Sequence, residues 1–298
     1  MAAVASASPS REPQARFTLS SGFEEEAVAE QRTYPNGVTC WIAAEEPDPE
    51  AASRFYGALF GWQITNVMPP GSPVYLMAAV DGADVGAISS DDGPARWTTY
   101  IATDHIDTTA SSIERAGGTI VEGPRDAGTD GRTALARDPQ GAEFHMWQAN
   151  EHPGAQLVNV PGAWNFSDLQ TPDPEAARRF YTEVFGWHYL NLGATVEAMI
   201  AVPGYGQHLA ATSDPDIYER QAGAPEGFAD VIGAVEPSAA PPRWRVKISV
   251  ADRAESVALA ERLGGTVIAT EDQAWALLAD IRDPQGAEFT VSEFRDPR

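Results

Sequence analysis

Few side chains in this chain sit where they could do chemistry. His145 lies in the run Glu143-Phe144-His145-Met146-Trp147, whose strand alternation puts Glu143, His145 and Trp147 on one face. Histidine as a residue type suits general-base work near neutral pH, with Glu143 or Glu45 to orient it; the bland alternative is a hydrogen-bonded wall residue. Farther on, Asp168 faces Arg245 and Lys247, a set that either polarises a carbonyl or enolate or forms a plain buried ion pair. Tyr100 completes the acid/base candidates, which are His145, Asp168, Tyr100 and Lys247. Trp41, Tyr100 and Trp147 offer flat faces on which an aromatic or cationic ligand would stack, or else they pack a core. His105, His152, His188 and His208 show no ligand spacing and are given no chemistry. There is no Gly-rich phosphate loop and no Gly-x-Ser-x-Gly elbow. The single cysteine, Cys40, leaves no internal disulfide and no thiolate zinc cluster, and reads as a small apolar strand residue.

The elements that must position these residues are written twice. Asp48-Pro49-Glu50-Ala51-Ala52, Phe55-Tyr56 and Phe60-Gly61-Trp62 recur from Asp173 to Trp187, 125 positions on. Asp138-Pro139-Gln140-Gly141-Ala142-Glu143-Phe144 recurs as Asp283 to Phe289, 145 positions on. A repeat of this length means one domain fold used twice. In each copy the Asp can cap a helix, Pro fits its first turn and Glu favours the positive end of its dipole. Gly61 and Gly186 are the stops. Counting strands between Pro/Gly turns gives β-α-β-β-β twice per half, with Asp138-Pro139-Gln140-Gly141 a tight turn before the last strand of the first half. The expected organisation is an N-terminal mobile arm over 1–35, a first domain over 36–149, a linker over 150–159 and a second domain over 160–298. Trp62 and Trp97 are 35 positions apart, but Trp187 and Trp244 are 57 apart. The extra residues are placed at 213–242, a Pro/Ala/Gly-rich surface excursion or a lid.

The chain has 298 residues, enough for two ordinary cores. Lys+Arg 20 against Asp+Glu 43 gives a net charge of −23, which opposes nucleic acid and anionic membranes. That charge serves solubility, or it attracts a cationic ligand. No apolar stretch reads as a signal peptide or membrane span, so the expected location is the cytoplasm.

Together the motifs Asp-Pro-Glu-Ala-Ala, Phe-Tyr, Phe-Gly-Trp, Gly-Gly-Thr and Asp-Pro-Gln-Gly resemble the vicinal oxygen chelate superfamily, which includes glyoxalase I, extradiol dioxygenases and the fosfomycin and bleomycin resistance proteins. The resemblance implies an α+β fold: two tandem domains, each pairing two βαβββ modules into a curved mixed sheet around a cleft, with helices outside. It also implies where metal-dependent members hold their ion. Carried across, those positions are Trp41, Thr98 and His145 in the first domain and Phe166, Arg245 and Thr290 in the second, of which only His145 is an ordinary ligand. A cationic Arg at such a site repels a metal, so the expectation is no metal and no cofactor. The expected ligand-binding face is Trp41, Glu45, Thr98, Tyr100, Glu143, His145 and Trp147 in one domain, and Phe166, Asp168, Gln170, Arg245, Lys247 and Thr290 in the other. The function expected is metal-independent binding of a small aromatic, cationic natural product of the anthracycline or bleomycin type, for sequestration, self-resistance or support of a biosynthetic pathway. Two alternatives stay open: a metal-free enzyme or oxygenase accessory, and a metal-dependent enzyme with ligands displaced to Glu45, Glu143, His145 or Glu288. Because two domains in one chain can supply the pairing that single-domain members obtain by dimerising, a monomer or a homodimer is expected.

Overall fold

A computed structural model describes residues 31–191 and 198–295, so residues 1–30 of the expected arm lie outside the described residues. The first half runs β1 (Thr39–Glu46), α1 (Pro49–Phe60), β2 (Gln63–Asn66), β3 (Tyr75–Val80), β4 (Ala83–Ser90), β5 (Arg96–Ala102), α2 (Ile106–Arg115), β6 (Thr119–Ala127), β7 (Gly131–Arg137) and β8 (Glu143–Ala149). The second runs β9 (Trp164–Thr171), α3 (Pro174–Phe185), β10 (His188–Leu190), β11 (Met199–Ala201), α4 (Tyr205–Ala211), α5 (Ile217–Arg220), a 3-10 turn (Phe228–Asp230), β12 (Val231–Pro237), β13 (Arg243–Val250), α6 (Arg253–Arg262), β14 (Thr266–Asp272), β15 (Ala276–Arg282) and β16 (Glu288–Phe294). Each half forms one eight-stranded mixed sheet, in the orders β2-β3-β4-β1-β5-β8-β7-β6 and β10-β11-β12-β9-β13-β16-β15-β14. This is the α+β architecture of paired βαβββ modules.

One boundary moves. The excursion expected at 213–242 contains β12, which pairs in parallel with β9 through Val235 and Leu169. The additional chain comprises α4, ahead of the expected span, with α5 and the 3-10 turn, which fall inside it before that strand. Proline and glycine drew attention to the later stretch, but the Val231–Val235 run is buried sheet.

α1, α2, α3 and α6 lie where the two halves meet, and β5 touches β13 across the same seam. α1 packs on α6 and α2 on α3. One apolar core joins Phe55, Tyr56, Phe60 and Trp97 to Ile248, Phe289 and Val291 of the other half. The second core joins Ile106, Ile113 and Phe144 to Phe180, Tyr181 and Trp187. Each half therefore completes the core of the other, and burying such aromatics contributes about 2–3 kcal/mol apiece.

The repeated motifs tie this arrangement together. Asp48 and Asp173 cap α1 and α3 by accepting from Ala51 and Ala176 backbone N–H, at 2.9 and 3.0 Å. Gly61 and Gly186 end those helices at φ 72° and 71°. In each Asp-Pro-Gln-Gly turn, one carboxylate oxygen of Asp138 or Asp283 accepts three backbone N–H groups. The glutamine that follows reaches across to the opposite half. Gln285 accepts from Asp48 N and donates to Asp48 O, both at 2.8 Å. Gln140 does the same to Asp173, at 3.0 and 2.9 Å. Tyr56 donates to Asp283 (3.1 Å) and Tyr181 to Asp138 (3.3 Å). Trp62 and Trp187 donate across the halves to the carbonyls of Gly162 and Gly37, at 2.6 and 2.8 Å. Gly162 has φ +84°, and a Cβ there would meet Phe60 O at 2.7 Å, so glycine is required for this approach.

The pseudo-symmetry breaks at Glu46. Its counterpart, Thr171, donates to Gln140 Oε1 at 2.6 Å. Glu46 is fully buried, neither of its carboxyl oxygens has a hydrogen-bond partner, and burial together with the nearby Asp283 pushes its pKa up to about 9.

Candidate functional site

In the first cleft the candidate side chains contact one another and their neighbours. Register places Trp41 beside Tyr100 and Tyr100 beside His145, while Thr98 pairs with Ala43. The residue level with Trp41 and His145 is thus Tyr100, two positions beyond Thr98. The Tyr100 ring stacks on His145 at 4.5 Å. His145 Nε2 lies 3.2 Å from Glu45 Oε1, and its Nδ1 lies 3.4 Å from Thr133 Oγ1. The second oxygen of Glu45 pairs with Arg96. Trp41 Nε1 donates to the Tyr75 hydroxyl (3.0 Å), and its ring meets His152 edge-on at 4.7 Å. Trp147 Nε1 donates to the carbonyl of His152 at 2.8 Å. Each of the three aromatics of the expected stacking face thus has a neighbour of its own, Tyr100 on His145 and both tryptophans on His152, a residue given no chemistry by sequence. Glu143 stands apart, paired with Arg137 at the start of β8. Thr98 is buried with an unpartnered hydroxyl. Burial holds the Tyr100 hydroxyl well above its ordinary pKa, so it is a neutral phenol at physiological pH.

The second cleft holds an ion-pair network. Lys247 pairs with Asp168, whose other oxygen accepts from Ala234 N at 2.8 Å. Arg245 binds Glu236 (2.7 Å) and Asp280 (3.1 Å), and Thr290 donates to Asp280 at 2.6 Å. Gln170 accepts from Arg243 at 3.0 Å. Although burial opposes its charge, Asp168 and Glu236 hold the Lys247 ammonium above its usual pKa, so it stays protonated. Register places Phe166 and Thr290 beside Lys247, and Asp168 beside Arg245. Asp168 and Arg245 are backbone neighbours whose side chains take other partners.

The superfamily-type metal positions of this chain do not fit a divalent ion. Level with one another are Trp41, Tyr100 and His145 in one cleft, and Phe166, Lys247 and Thr290 in the other. A protonated lysine and indole or phenyl rings donate no lone pair, and a cation beside Lys247 would be repelled. The displaced set fares no better. Glu45, Glu143 and Glu288 each face an arginine, and Glu288, paired with Arg243 and Arg282, lies on the other sheet. No group of three His, Cys, Asp or Glu side chains converges on a point among the described residues.

A cavity of about 790 Å³ opens elsewhere, between the two halves at the end where β9 and β12 begin. Tyr34, Trp164, Phe166, Tyr205 and Phe228 give it aromatic walls, with Leu209, Ile217 and Ile232 between them. One wall is the segment expected to be mobile arm. Arg32 N donates to Gln156 Oε1 (3.0 Å), Tyr34 donates to the carbonyl of Ala155, and Thr33 Oγ1 lies 3.0 Å from His208 Nε2. Residues 31–34 are thus fastened to the 155–156 segment and to α4, not free. The opposite wall is α4 and α5, the true excursion. Of the expected ligand-binding residues, Phe166 alone is in the lining. The others missed were legible only in part: Tyr205 and Leu209 have helical spacing, but nothing local marks Arg32 or Tyr34 as wall residues.

Comparison with known proteins gives the same frame. Residues 41–146 match the model of the glyoxalase/bleomycin resistance protein/dioxygenase superfamily, and residues 166–292 match a glyoxalase-like domain. CFP32 of Mycobacterium tuberculosis, named as a candidate glyoxylase, is 34% identical over 269 residues, covering 87% of this chain and 95% of that one. The anthracycline biosynthesis protein DnrV of Streptomyces peucetius is 32% identical over 278 residues, covering 87% and 94%. Among solved structures, the Mn(II)-bound glyoxalase of Novosphingobium aromaticivorans shares the fold with a TM-score of 0.58 at 14% identity, over 87% of this chain and 82% of that one. The 2,3-dioxygenase LapB of Pseudomonas sp. KL28 does so with a TM-score of 0.54 at 12% identity, over 88% and 95%. No helix among the described residues is long and apolar enough to cross a membrane. Two copies of one βαβββ-paired domain, matched by family models in both halves and by full-length relatives above 30% identity, place this chain in the glyoxalase/bleomycin resistance protein/dioxygenase superfamily.

Proposed function

We propose that this protein binds an aromatic small molecule of natural-product metabolism without a metal, and that the ligand occupies the cavity between the halves rather than either cleft. The observation that carries this reading is the cavity itself. At about 790 Å³ it falls in the size range of small-molecule sites, and five aromatic residues line it. Rings on several sides suit a flat polycyclic ligand, which buries large area at little conformational cost. The likeness to a protein named for anthracycline biosynthesis agrees with such a ligand. The catalytic alternative has less support. Its candidate Tyr100 is a buried phenol stacked on His145, and Lys247 is a cation committed to Asp168. Carriage, protection or presentation of a ligand to another enzyme asks only for the cavity.

The test is a tryptophan-fluorescence titration of metal-stripped protein with neutral, cationic and anionic anthraquinones, with Trp164 in the cavity wall as reporter. Saturable quenching at micromolar ligand, unchanged by chelator and weakened about tenfold by Phe166→Ala, is expected. Absence of saturable binding by any of the three, or binding that chelation abolishes, overturns the reading.

A further inference from the structure

The cavity has a charge of its own, opposite to that of the chain. Its lining contains two guanidiniums, Arg32 and Arg220, and one carboxylate, Asp214. Arg220 and Asp214 are paired with each other. Arg32 is left without a carboxylate among the described residues. Its Nη2 donates to the Tyr205 hydroxyl at 3.0 Å, its carbon lies 5.6 Å from the centre of the Tyr34 ring, and its Nε is buried with no partner. Burial opposes its charge, and the groups that offset this are Tyr205 and Tyr34, whose own hydroxyls burial pushes up. A guanidinium in the wall of an aromatic cavity, held by phenols and not by a carboxylate, is a binding group for an anionic acceptor.

The position is built. Residue 32 is fixed by a pair of hydrogen bonds between its backbone and the Gln156 side chain, at 3.0 and 3.2 Å. Tyr34 and Tyr205 flank its side chain, one under the guanidinium plane and one on its edge. The cation expected from the net charge of −23 finds nothing comparable, since Asp214 already has its arginine. Whole-chain charge describes the outer surface, whereas a ligand in the cavity meets the local field.

Resting on the binding role proposed above, we infer that the ligand carries an anionic oxygen, a carboxylate or an acidic enolate or phenolate on its ring system, and that Arg32 binds it. A charge-assisted hydrogen bond in a partly enclosed site corresponds to roughly tenfold to a hundredfold in affinity. Tyr205 is a positioning residue for Arg32, holding Nη2 and with it the guanidinium at the cavity wall.

The experiment uses the full chain with anthraquinone-2-carboxylate and anthraquinone-2-carboxamide, which share ring and shape and differ in charge. The carboxylate is expected to bind at least tenfold tighter, and raising salt should narrow that gap. Arg32→Met should bring the ratio to about one, with the larger loss on the carboxylate. Arg32→Lys should restore part of the preference, because it keeps the charge but loses the planar fork. Thermal unfolding of each variant checks that the 31–34 segment remains docked, and Tyr205→Phe supplies a second variant that weakens only the carboxylate. Equal binding of the two probes by the unmodified protein overturns this inference and leaves the binding role standing. Failure of both probes, together with neutral and cationic anthraquinones, removes the binding role and this inference with it.

Discussion

Glu46 ties the stability of this protein to pH with a sign that can be worked out in advance. Its carboxyl is buried without a hydrogen-bond partner near Asp283, and its pKa is pushed up to about 9. In the unfolded chain a glutamate titrates near 4.3. Between those values the native state holds a proton that the unfolded state has released, so stability falls as pH rises. It is complete below the unfolded pKa and is lost through the folded one. The slope in mid-window is about 1.4 kcal/mol per pH unit, hence roughly 3 kcal/mol between pH 6 and pH 8. Glu46→Gln removes the titration and keeps the volume. Glu46→Thr installs the residue that stands at the equivalent place in the other half, where it is hydrogen-bonded. Urea unfolding of the three proteins at pH 6, 7 and 8 isolates Glu46 together with its coupling to Asp283, because the titrating groups away from this pair cancel in the differences. The variants should gain about 3 kcal/mol over the parent on going from pH 6 to pH 8. Parallel stability curves for all three proteins would refute the reasoning and return Glu46 to an ordinary solvated carboxylate.

Two further perturbations test the architecture. Gln285→Ala removes two hydrogen bonds to the Asp48 backbone and should cost about 1–2 kcal/mol, while Gln140→Ala should cost more because Thr171 also loses its acceptor; urea midpoints at fixed pH decide the order. Lys247→Met strands the buried carboxylate of Asp168 and should cost about 3–5 kcal/mol without changing anthraquinone affinity, whereas lost binding at unaltered stability would place Lys247 in the ligand site.

The repeat, the helix caps and the βαβββ order were legible because they are local. A capping Asp followed by Pro, and a Gly at the end of a helix, act on the few residues beside them. The second role of the same motifs was not legible. Nothing about Gln285 within its own turn indicates that its amide spans to Asp48, since that depends on how two sheets meet. Alternation found the aromatic face of the first cleft but not the partners of its rings, because Tyr75 and His152 arrive from other segments to contact Trp41. Register was out by two residues at Thr98 and Arg245, because a two-residue slip keeps every side chain on its face and leaves the pattern unchanged. The cavity was missed for a related reason. Its walls come from the segment before β1, the 156–160 connection and the excursion helices, all of which read singly as surface chain.

The reciprocal glutamine clasp separates what the two copies must share from what each is free to change. Apart from Thr171, whose counterpart is Glu46, the residues that join one half to the other through the motifs are present in both: the capping aspartate, the tyrosine, the tryptophan and the turn. None of them lies in a cleft or in the cavity lining. After duplication, mutation could therefore rewrite one concave face in aromatics and the other in ion pairs, and fit helices over one end alone, without loosening the union. The chain behaves as a fixed hinge plate carrying two independent panels, and a panel from a relative with the same clasp residues has the fittings to be mounted in place of either.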